Sequence, residues 1–506
     1  MIKRYIILPL VLLASLAKAQ QKPNIVVILS DDHAYQTISA YGSRYASTPN
    51  IDRIAKEGAI LNRAYVTNSL CGPSRAVILT GKYSHKNGFK QNVGGVAFDA
   101  SQDNFARELQ LAGYQTAWIG KYHLESQPEG FSYWEILPGQ GRYYNPEFIE
   151  MNGEKVRRNG YVTNVVSDLA ESWLDKRDKT KPFCLVIGHK ATHRNWMPDT
   201  ADLGRYDKVN FPLPANFYDD YAGRKAAQAQ NMTIAQTMLV DKDLKMFPEG
   251  EKDRSLAPMN PAQRTRYKAY YDSIRADFES RHLTGKSLIE WKYQRYMRDY
   301  LSTAAALDRN VGRILDYLDQ HQLSKNTLVI YMSDQGFFMG EHGWFDKRFM
   351  YEESFRTPML VRYPGVIKPG TASNDFILNL DIAPTLLDAA HAAIPAGMQG
   401  RSFLPLLSGR QAQGRDAMYY HYYEAAVHLV SPHFGIRTQR YKLIRFYERV
   451  NSWELFDLEK DPKEMNNLYG KKGYEEITRN LKSQLKNLIV QYQDDEALNI
   501  FNTPVK

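Results

Sequence analysis

Apolar residues along this chain occur in short runs that end in polar residues and are followed by helical patterns. The clearest runs, at residues 24–30, 183–188 and 327–332, are rich in β-branched residues and predict buried strands. Between residues 301 and 318, apolar residues recur at helical spacing, which predicts a long helix before the third strand. This alternation is typical of a parallel sheet covered by helices, an α/β fold.

The pattern changes twice along the chain. Residues 205–285 are polar and weakly periodic, so we interpret them as an excursion over the rim of the sheet. Beyond residue 400 the pattern predicts a small antiparallel sheet and a closing helix, at residues 434–437, 441–444, 453–456 and 474–492. We therefore expect a large domain over residues 20–400 and a smaller α+β subdomain over residues 401–506.

The first residues form a different kind of segment. Lys3 and Arg4 precede an apolar run over residues 5–16, and Ala17-Lys18-Ala19 supplies small residues for cleavage. This order is that of a secretory signal peptide, so we predict a signal peptide over residues 1–19 and export, to the periplasm or the medium. A membrane anchor is the alternative, but a span needs roughly 20 apolar residues, and no run is that long.

Composition narrows the class of protein. The 506 residues carry a formal net charge of +9, but we find no nucleic-acid motif and expect diffuse surface charge without a nucleic-acid partner. The chain has only two cysteines, which argues against a disulfide scaffold. Cys184 lies in an apolar run and is predicted to be a core residue, whereas packing does not explain Cys71 among Gly, Pro, Ser and Arg.

Acidic residues directly follow two of the predicted strands. Asp31 and Asp32 follow the first strand, and Asp334 and Gln335 follow the third. The carboxyl ends of parallel strands meet at one rim, where three carboxylates would repel each other unless a cation lay between them. Oxygen donors alone favour Ca²⁺ or Mg²⁺. The alternative is that the first pair caps a helix and the second makes a turn.

The segment around Cys71 carries the most specific signal. Residues 69–81 read SLCGPSRAVILTG and closely resemble the formylglycine signature of the sulfatase family, Cys-x-Pro-Ser-Arg followed by Leu-Thr-Gly. Further similarity to that family lies at residues 23–24, 48–52, 120–123, 334–336 and 453–457. The resemblance implies an alkaline-phosphatase-like fold, with a large mixed, mainly parallel sheet flanked by helices. It also implies a catalytic domain over residues 20–400 and a C-terminal subdomain that completes the substrate pocket.

The resemblance implies that the acidic residues after the first and third strands form a metal site. It implies that Asp31, Asp32, Asp334 and Gln335 bind Ca²⁺ rather than Mg²⁺, together with the residue made from Cys71. The family usually has Asn as its last ligand, and Gln335 offers the same amide oxygen on a longer arm. A separate formylglycine-generating enzyme would have to convert Cys71 into formylglycine.

The resemblance also implies roles in the attack on sulfur. The hydrate of formylglycine has two hydroxyl groups, of which one attacks sulfur and the other loses its proton as sulfate leaves. Arg75, four residues after Cys71 at helical spacing, would hold this hydrate. His123 is the expected base, and it is paired with Lys121.

Two further positions concern the leaving group and the sulfate. His193 matches the histidine that protonates the leaving sugar oxygen, although Thr192 replaces the usual proline before it. Lys347 matches the lysine that holds the sulfate oxygens. Fixed cations suit the spread negative charge of a sulfuryl group.

Candidate sugar contacts lie close to Lys347 or in the C-terminal subdomain. Asp346 and Arg348 form a natural pair for gripping sugar hydroxyls, provided that a loop turns them toward the pocket. The C-terminal candidates are His421, Glu424, His428 and the nearby His433. The alternative for each of these is surface packing.

The expected substrate is a sulfated glycan. Segments 189–196 and 344–353 are most similar to bacterial N-acetylglucosamine-6-sulfatases. This similarity implies removal of 6-O-sulfate from terminal glucosamine units of heparan-type glycosaminoglycans or mucin glycans. The alternatives are another sugar sulfate position, an aryl sulfate or phosphonate ester hydrolysed by the same group, and an inactive glycan-binding homologue. A phosphatase of the same superfamily would need Ser or Thr at position 71.

Overall fold

The computed structural model describes residues 22–94, 97–247, 255–411 and 413–505. The predicted signal peptide, residues 1–19, lies outside these ranges. Within them, no helix combines the length and the apolar character that a membrane span requires.

Strands and helices are numbered in chain order. The strands are β1 (Asn24–Ser30), β2 (Ala59–Leu61), β3 (Ala64–Tyr65), β4 (Gln115–Lys121), β5 (Tyr133–Leu137), β6 (Glu147–Glu150), β7 (Lys155–Arg157), β8 (Phe183–Gly188), β9 (Thr327–Ser333), β10 (Met359–Arg362), β11 (Thr371–Ser373), β12 (Ile377–Leu378), β13 (Ala417–Tyr422), β14 (His433–Thr438), β15 (Tyr441–Phe446) and β16 (Ser452–Asp457). The helices are α1 (Pro49–Lys56), α2 (Cys71–Thr80), α3 (Ser84–Asn87), α4 (Phe105–Leu111), α5 (Val162–Lys176), α6 (Lys225–Ala229), α7 (Pro261–Ser280), α8 (Gly285–Gln320), α9 (Glu352–Phe355), α10 (Ile382–Ala389), α11 (Leu404–Leu407), α12 (Glu475–Tyr492) and α13 (Asp495–Asn502).

A ten-stranded mixed sheet forms the centre of the molecule, in the order β11-β2-β10-β9-β1-β8-β4-β5-β6-β7. The five central strands, from β9 to β5, run parallel to one another. Antiparallel strands flank them, because β10 pairs with β9 on one side and β6 pairs with β5 on the other. The three strands predicted from the sequence are confirmed as β1, β8 and β9, which are neighbours at the centre of the sheet.

The central strands are buried on both faces. In β1, alternate residues from Ile25 to Leu29 face one hydrophobic core, and the residues between them face a second core. Because successive side chains point to opposite faces of a strand, a strand covered on both sides needs a continuous apolar run. The second core is closed by α8, a 36-residue helix that contains the predicted segment 301–318. Cys184 of β8 is fully buried, which confirms its predicted place in the core.

A four-stranded antiparallel sheet, in the order β13-β14-β15-β16, forms the C-terminal region. Helix α12 packs on this sheet through Leu485 and Ile489, so the predicted small sheet and closing helix are confirmed. The same hydrophobic cluster includes Leu70, which directly precedes α2, and Val77 within α2. The C-terminal sheet and α2 therefore share one core. The boundary at residue 400 stays a prediction.

The polar excursion contains a long helix that the sequence pattern did not predict. Helix α7 has 20 residues and begins with a capping box formed by Asn260 and Gln263. Only Tyr267 and Tyr271 of this helix are buried. Ile274 and Phe278 continue the same face and are partly buried against the second core. This stripe is narrow and lies among many charged residues, so the helical period is weak in the sequence.

Candidate active site

Two parallel strands bring the predicted acidic residues together. Strands β1 and β9 pair in register with Ser30 opposite Ser333, so Asp31 and Asp334 follow side by side. The backbone N–H of Asp32 donates to Asp334 Oδ1 at 3.2 Å. All three carboxylates are buried. We call these residues, with Gln335, the acidic group.

A tight turn after β1 sets the direction of Asp32. Its φ is +62°, in the left-handed region that non-glycine residues occupy only where their surroundings hold them. Its carbonyl oxygen accepts from the Tyr300 hydroxyl at 2.6 Å and from the Thr192 hydroxyl at 2.9 Å. Helix α8 and the segment after β8 therefore hold this turn in place.

Burial dominates the electrostatics of the acidic group. It raises the pKa of Asp32 to about 7 and the pKa of Asp334 to about 6, and neighbouring carboxylates add to both effects. Burial also opposes ionisation of Asp31, but the positive groups around it, with Lys121 the strongest, together outweigh burial and hold the pKa of Asp31 well below its usual range. The three carboxylates therefore need additional positive charge to be fully ionised together at neutral pH.

Two oxygens of the acidic group have no hydrogen-bond partner among the described residues. They are Asp31 Oδ1 and Gln335 Oε1, and both are buried. A buried acceptor without a partner costs about 1–3 kcal/mol, so a native site normally supplies one. Oxygens of Asp31, Asp32 and Asp334 lie within 4.8 Å of one another. This oxygen-only donor set fits a hard divalent cation such as Ca²⁺ or Mg²⁺.

Cys71 is the first residue of α2, and its side chain is buried beside the acidic group. Its sulfur lies within 4.8 Å of a carboxylate oxygen of Asp31 and of a ring nitrogen of His193. Burial raises the pKa of the Cys71 thiol to about 12. The unmodified thiol is therefore protonated at neutral pH and is a poor nucleophile.

Arg75 lies one turn further along α2 and is fully buried. Its Nε and Nη2 atoms both lie 2.9 Å from Asp334 Oδ2, and Nη1 donates to the Lys121 carbonyl oxygen at 2.8 Å. The sequence predicted that Arg75 holds the group at position 71. The structure places Arg75 at this site and shows that it orients Asp334 and the end of β4.

Lys121 ends β4, and His123 follows it after one residue. Lys121 Nζ contacts Asp31 Oδ2 and donates to Gln140 Oε1 at 2.5 Å. Gln140 Nε2 lies 3.1 Å from His123 Nε2. Burial, together with the charge of Lys121, lowers the pKa of His123 well below its usual range. His123 is therefore neutral at neutral pH and is able to accept a proton.

His193 and Lys347 reach the same carboxylate from two other segments. His193 Nε2 lies 4.0 Å from Asp32 Oδ2, and Lys347 Nζ donates to both Asp32 oxygens, at 2.7 and 2.8 Å. Burial lowers the pKa of His193 well below its usual range, although Asp31 opposes the effect. Burial also disfavours the charged form of Lys347, but the acidic side chains around it, with Asp32 the strongest, together outweigh burial and raise the pKa of Lys347 well above its usual range. The structure thus gathers the predicted catalytic residues in one crevice.

Two residues of this crevice were not predicted from the sequence. Gln140 lies in the turn after β5, and Lys190 lies two residues beyond β8. Lys190 is buried, and its Nζ lies 4.8 Å from the centre of the Tyr143 ring. Burial, together with the charge of Lys121, lowers the pKa of Lys190 to about 7. Lys190 could have been predicted as a site residue because it closely follows a strand. The sequence around Gln140 gives no such indication.

The segment around Lys347 is a loop, as the sugar-contact prediction required. Asp346 and Arg348 have φ values of +78° and +99°, so neighbouring side chains diverge instead of alternating as in a strand. Arg348 Nη1 donates to Glu424 Oε1 at 2.7 Å, and His428 Nε2 lies 2.9 Å from Asp346 Oδ2. We call Asp346, Arg348, Glu424 and His428 the rim group. The C-terminal region contributes two of its four members.

The structure corrects the prediction for His421. In β13, Tyr420 and Tyr422 contact Arg348, and His421 between them points to the opposite face of the strand. Both of its ring nitrogens are occupied there, one by Asp494 at 2.7 Å and the other by the Tyr447 hydroxyl at 2.8 Å. His421 therefore has no free ring nitrogen for a sugar.

His433 is also part of the C-terminal core. Its Nε2 accepts from the Met350 N–H at 3.0 Å, and its Nδ1 lies 2.8 Å from the Ser431 carbonyl oxygen. Burial lowers the pKa of His433 to about 3, which keeps the ring neutral. His433 therefore holds the backbone at Met350, two residues after Arg348.

Sequence comparisons agree with this geometry. The sulfatase family profile matches residues 23–392, and the profile of the C-terminal part of N-sulphoglucosamine sulphohydrolase matches residues 340–491. An N-acetylglucosamine-6-O-sulfatase from Bacteroides thetaiotaomicron is 47% identical to this chain. The alignment covers 96% of this chain and 90% of that relative.

Solved structures share the fold. One, a complex with its substrate D-glucosamine-2-N,6-O-disulfate, has a TM-score of 0.91 and 46% identity, and the match covers 94% of this chain and 99% of that chain. A phosphonate monoester hydrolase from Agrobacterium radiobacter has a TM-score of 0.69 and 20% identity over 93% of this chain and 96% of its own, and this likeness concerns the fold alone. The predicted alkaline-phosphatase-like architecture is confirmed. With a family profile matched over most of its length and a relative 47% identical to it, the chain belongs to the sulfatase family of sulfuric ester hydrolases.

Proposed function

We propose that this sulfatase removes the 6-O-sulfate of terminal N-acetylglucosamine or glucosamine units in heparan-type glycosaminoglycans or mucin glycans. One observation supports the chemistry: a buried Cys71, in the formylglycine signature, lies beside the acidic group and several basic side chains. The 47% identical N-acetylglucosamine-6-O-sulfatase and the structure bound to D-glucosamine-2-N,6-O-disulfate support the sugar and the sulfate position.

The acidic group would hold a calcium ion. Its two partnerless oxygens, Asp31 Oδ1 and Gln335 Oε1, support a cation at this place. When bound, the cation supplies positive charge that keeps the carboxylates ionised and polarises an oxygen at position 71. Calcium is favoured over magnesium because it accepts more protein oxygens and a less regular geometry.

Position 71 needs conversion before it can react. A buried thiol with a pKa of about 12 is protonated at neutral pH and does not attack sulfur. Formylglycine, made from Cys71 by a separate maturation enzyme, supplies two hydroxyl groups in its hydrated form, one for attack and one for release of sulfate. Arg75 and the first turn of α2 fix the place of this residue against Asp334.

Two lysines would hold the sulfate. Lys121 and Lys347 each place an ammonium group against a carboxylate of the acidic group. A sulfuryl group that enters the crevice meets both of these charges, which suits the negative charge that spreads over its oxygens during transfer. In this water-poor crevice, fixed charges act more strongly than they would at the surface.

Two histidines would move protons at opposite ends of the reaction. His193 Nδ1 lies 2.7 Å from the Arg194 carbonyl oxygen and donates to it, so the proton for the leaving sugar oxygen must come from Nε2. The negative charge of an arriving sulfate ester favours the protonated form of His193. Neutral His123 would accept the proton of the second hydroxyl at position 71.

The rim group would recognise the sugar. It combines carboxylates, a guanidinium and an imidazole, which together donate to and accept from sugar hydroxyls. Glu424 is held in place by the backbone N–H groups of Asn92 and Val93, at 2.9 and 3.1 Å. The contributions of Glu424 and His428 support the role of residues 401–506 in completing the pocket.

A panel of sulfated sugars tests this function. Protein with formylglycine confirmed at position 71 by mass spectrometry is incubated with calcium and with N-acetylglucosamine and glucosamine sulfated at the 6-O, 3-O or N position. We expect sulfate release from the 6-O-sulfated sugars alone. Release only from aryl sulfates, or hydrolysis of phosphonate esters in their place, would contradict the proposed substrate.

We also propose that residues 1–19 direct export and are then removed. The charged start, apolar run and small residues before Gln20 support this proposal. Expression in a Gram-negative host should give a periplasmic protein that begins at Gln20, as measured by intact mass. A cytoplasmic protein that retains residues 1–19 would contradict it.

A further inference from the structure

One turn contacts three of the basic side chains in the crevice. It follows β5 and is closed by a hydrogen bond from the Gly141 N–H to the Pro138 carbonyl oxygen at 2.9 Å. The glycines on both sides of Gln140 have φ values of +50° and +67°, a left-handed conformation that other residues rarely adopt. Strand β5 pairs with β4 so that Leu137 lies opposite Lys121. The sheet therefore fixes this turn beside the end of β4.

Gln140, in the middle of the turn, uses three different atoms for its contacts. Its side-chain oxygen accepts from Lys121 Nζ at 2.5 Å, and its amide nitrogen lies 3.1 Å from His123 Nε2. Its backbone carbonyl oxygen accepts from Lys190 Nζ at 3.1 Å. Lys190 is buried and forms no ion pair within the described ranges, so this carbonyl is a main partner of its charge. Gln140 itself is only half-buried, whereas Lys121 and Lys190 are buried.

The chemistry of the donors sets the orientation of the Gln140 amide. An ammonium group can only donate hydrogen bonds, so the amide oxygen must face Lys121. The amide NH₂ group then faces His123, and His123 Nε2 must accept its hydrogen bond. A neutral imidazole whose Nε2 accepts carries its proton on Nδ1. Lys121 therefore determines the tautomer of His123 through Gln140.

We propose that Gln140 is a positioning residue of the sulfatase reaction, which selects the Nδ1–H tautomer of His123 and holds Lys121 and Lys190 toward one crevice. This inference rests on the proposed role of His123 as the base. In the selected tautomer, the lone pair is on Nε2, where it accepts from the Gln140 amide until the hydroxyl at position 71 takes the place of that donor and gives its proton to Nε2. Without the amide, both tautomers are populated, and the fraction of molecules with a base at Nε2 falls.

Two substitutions separate the functions of the amide. Gln140→Met keeps the length of the side chain but removes the acceptor for Lys121 and the donor to His123. Gln140→Glu keeps the acceptor and removes the donor, and its carboxylate accepts from a protonated Nε2, which favours the opposite tautomer. We expect kcat to fall by roughly three- to tenfold in Gln140→Met, where the tautomers mix and Lys121 loses its acceptor, and by roughly 10- to 100-fold in Gln140→Glu, which favours the wrong tautomer. In both variants KM should change by less than about threefold. A loss of sugar binding would instead raise KM.

Gln127→Met is the matched control. Gln127 lies on the loop after β4 and makes no hydrogen bond to the three basic side chains within the described part of the chain. We expect this variant to keep the kcat of the unsubstituted enzyme. All variants are assayed as formylglycine-containing, calcium-loaded protein on 6-O-sulfated N-acetylglucosamine and on a chromogenic aryl sulfate. If the unsubstituted enzyme hydrolyses neither ester, the proposed function fails; if it does and Gln140→Met keeps its kcat, this inference is overturned.

The tautomer of His123 is measured directly by nitrogen-15 spectra of protein with labelled histidines, assigned with a His123→Gln variant. We expect a protonated Nδ1 and an unprotonated Nε2 in the unsubstituted protein, and a mixture of tautomers in Gln140→Met. This measurement does not depend on turnover. A protonated Nε2 in the unsubstituted protein would overturn the inference whatever the variants do.

Discussion

The acidic group and the rim group lie at the same crevice, but they are built in opposite ways. The members of the acidic group follow two parallel strands directly, and the register of β1 against β9 sets their positions. The rim group comes from loops, with left-handed backbone at Asp346, Arg348 and His428. The contrast suggests that the sheet fixes the chemistry of sulfate transfer, whereas recognition of the sugar depends on loops that can change independently.

The largest expected effect concerns position 71, beside the acidic group. Cys71→Ala removes the thiol that maturation must convert into the aldehyde, so no hydrate hydroxyl can form at position 71, and we expect turnover to fall by on the order of 10⁴-fold or more. The thermal unfolding midpoint should change little. Cys184→Ala is the matched control, because Cys184 is equally buried but lies in the core of β8; it should lose about 1 kcal/mol of stability and keep its kcat. Measurable turnover in Cys71→Ala would contradict the mechanism.

The next largest effect is expected when a carboxylate of the acidic group is replaced. Asp31→Asn and Asp334→Asn each remove a charge from the proposed calcium site, and kcat/KM should fall by roughly 10³-fold because several kcal/mol of charge stabilisation are lost. Metal analysis should show one calcium ion per chain in the unsubstituted protein and none in the variants. Asp308→Asn is the control, since Asp308 accepts from the backbone N–H groups of Asn50 and Ile51 at the start of α1. A full calcium content in Asp31→Asn would exclude this site.

A third prediction tests whether His193 acts on the leaving group. His193→Ala should reduce kcat on sugar sulfates by about 10²- to 10³-fold, because an alkoxide leaves poorly without a proton. A nitrophenyl sulfate, whose leaving group needs no proton, should be affected far less. The exposed His321 at the end of α8 provides the control substitution. Equal losses on both esters would assign His193 to sulfate binding instead.

The smallest effect is expected at the rim group. Arg348→Lys keeps the charge but removes the planar guanidinium, whose Nη1 donates to both Glu424 and the Tyr422 hydroxyl, so KM for the sugar should rise by about tenfold while kcat changes little. Arg440→Lys is the matched control, because Arg440 makes a similar two-bond contact with Asp457 on the surface. An equal loss on an aryl sulfate would mean that Arg348 serves the sulfate rather than the sugar.

The same contrast explains how much the sequence could predict. A strand is recognised from its apolar run, and parallel strands bring their carboxyl ends together, so Asp31, Asp32 and Asp334 were predictable as one site. The place of Cys71 beside these carboxylates agrees with its signature, which resembles that of the sulfatase family, and its role stays a prediction. The strands of the central sheet and of the small C-terminal sheet were predictable as well, because their apolar residues form short runs or alternate along the chain.

Residues whose positions depend on turns or on side-chain direction were not predictable. Gln140 reaches the crevice because a turn with left-handed backbone follows β5, and no sequence pattern shows where that turn points. His421 was misplaced because the sequence shows that it belongs to a strand but not which face of β13 is directed to Arg348. Helix α7 was missed because its apolar stripe is narrow and lies among many charged and polar residues.

The central claim is that position 71 reacts only after conversion to formylglycine, in the crevice formed by the strand ends. Preparations with different fractions of formylglycine, obtained with and without a maturation enzyme, are quantified by mass spectrometry of the peptide that contains residue 71. Sulfate release from 6-O-sulfated N-acetylglucosamine is then measured for each preparation with calcium present. The account predicts a rate that is proportional to the formylglycine fraction and passes through zero. An equal rate in protein whose Cys71 is unmodified would contradict it.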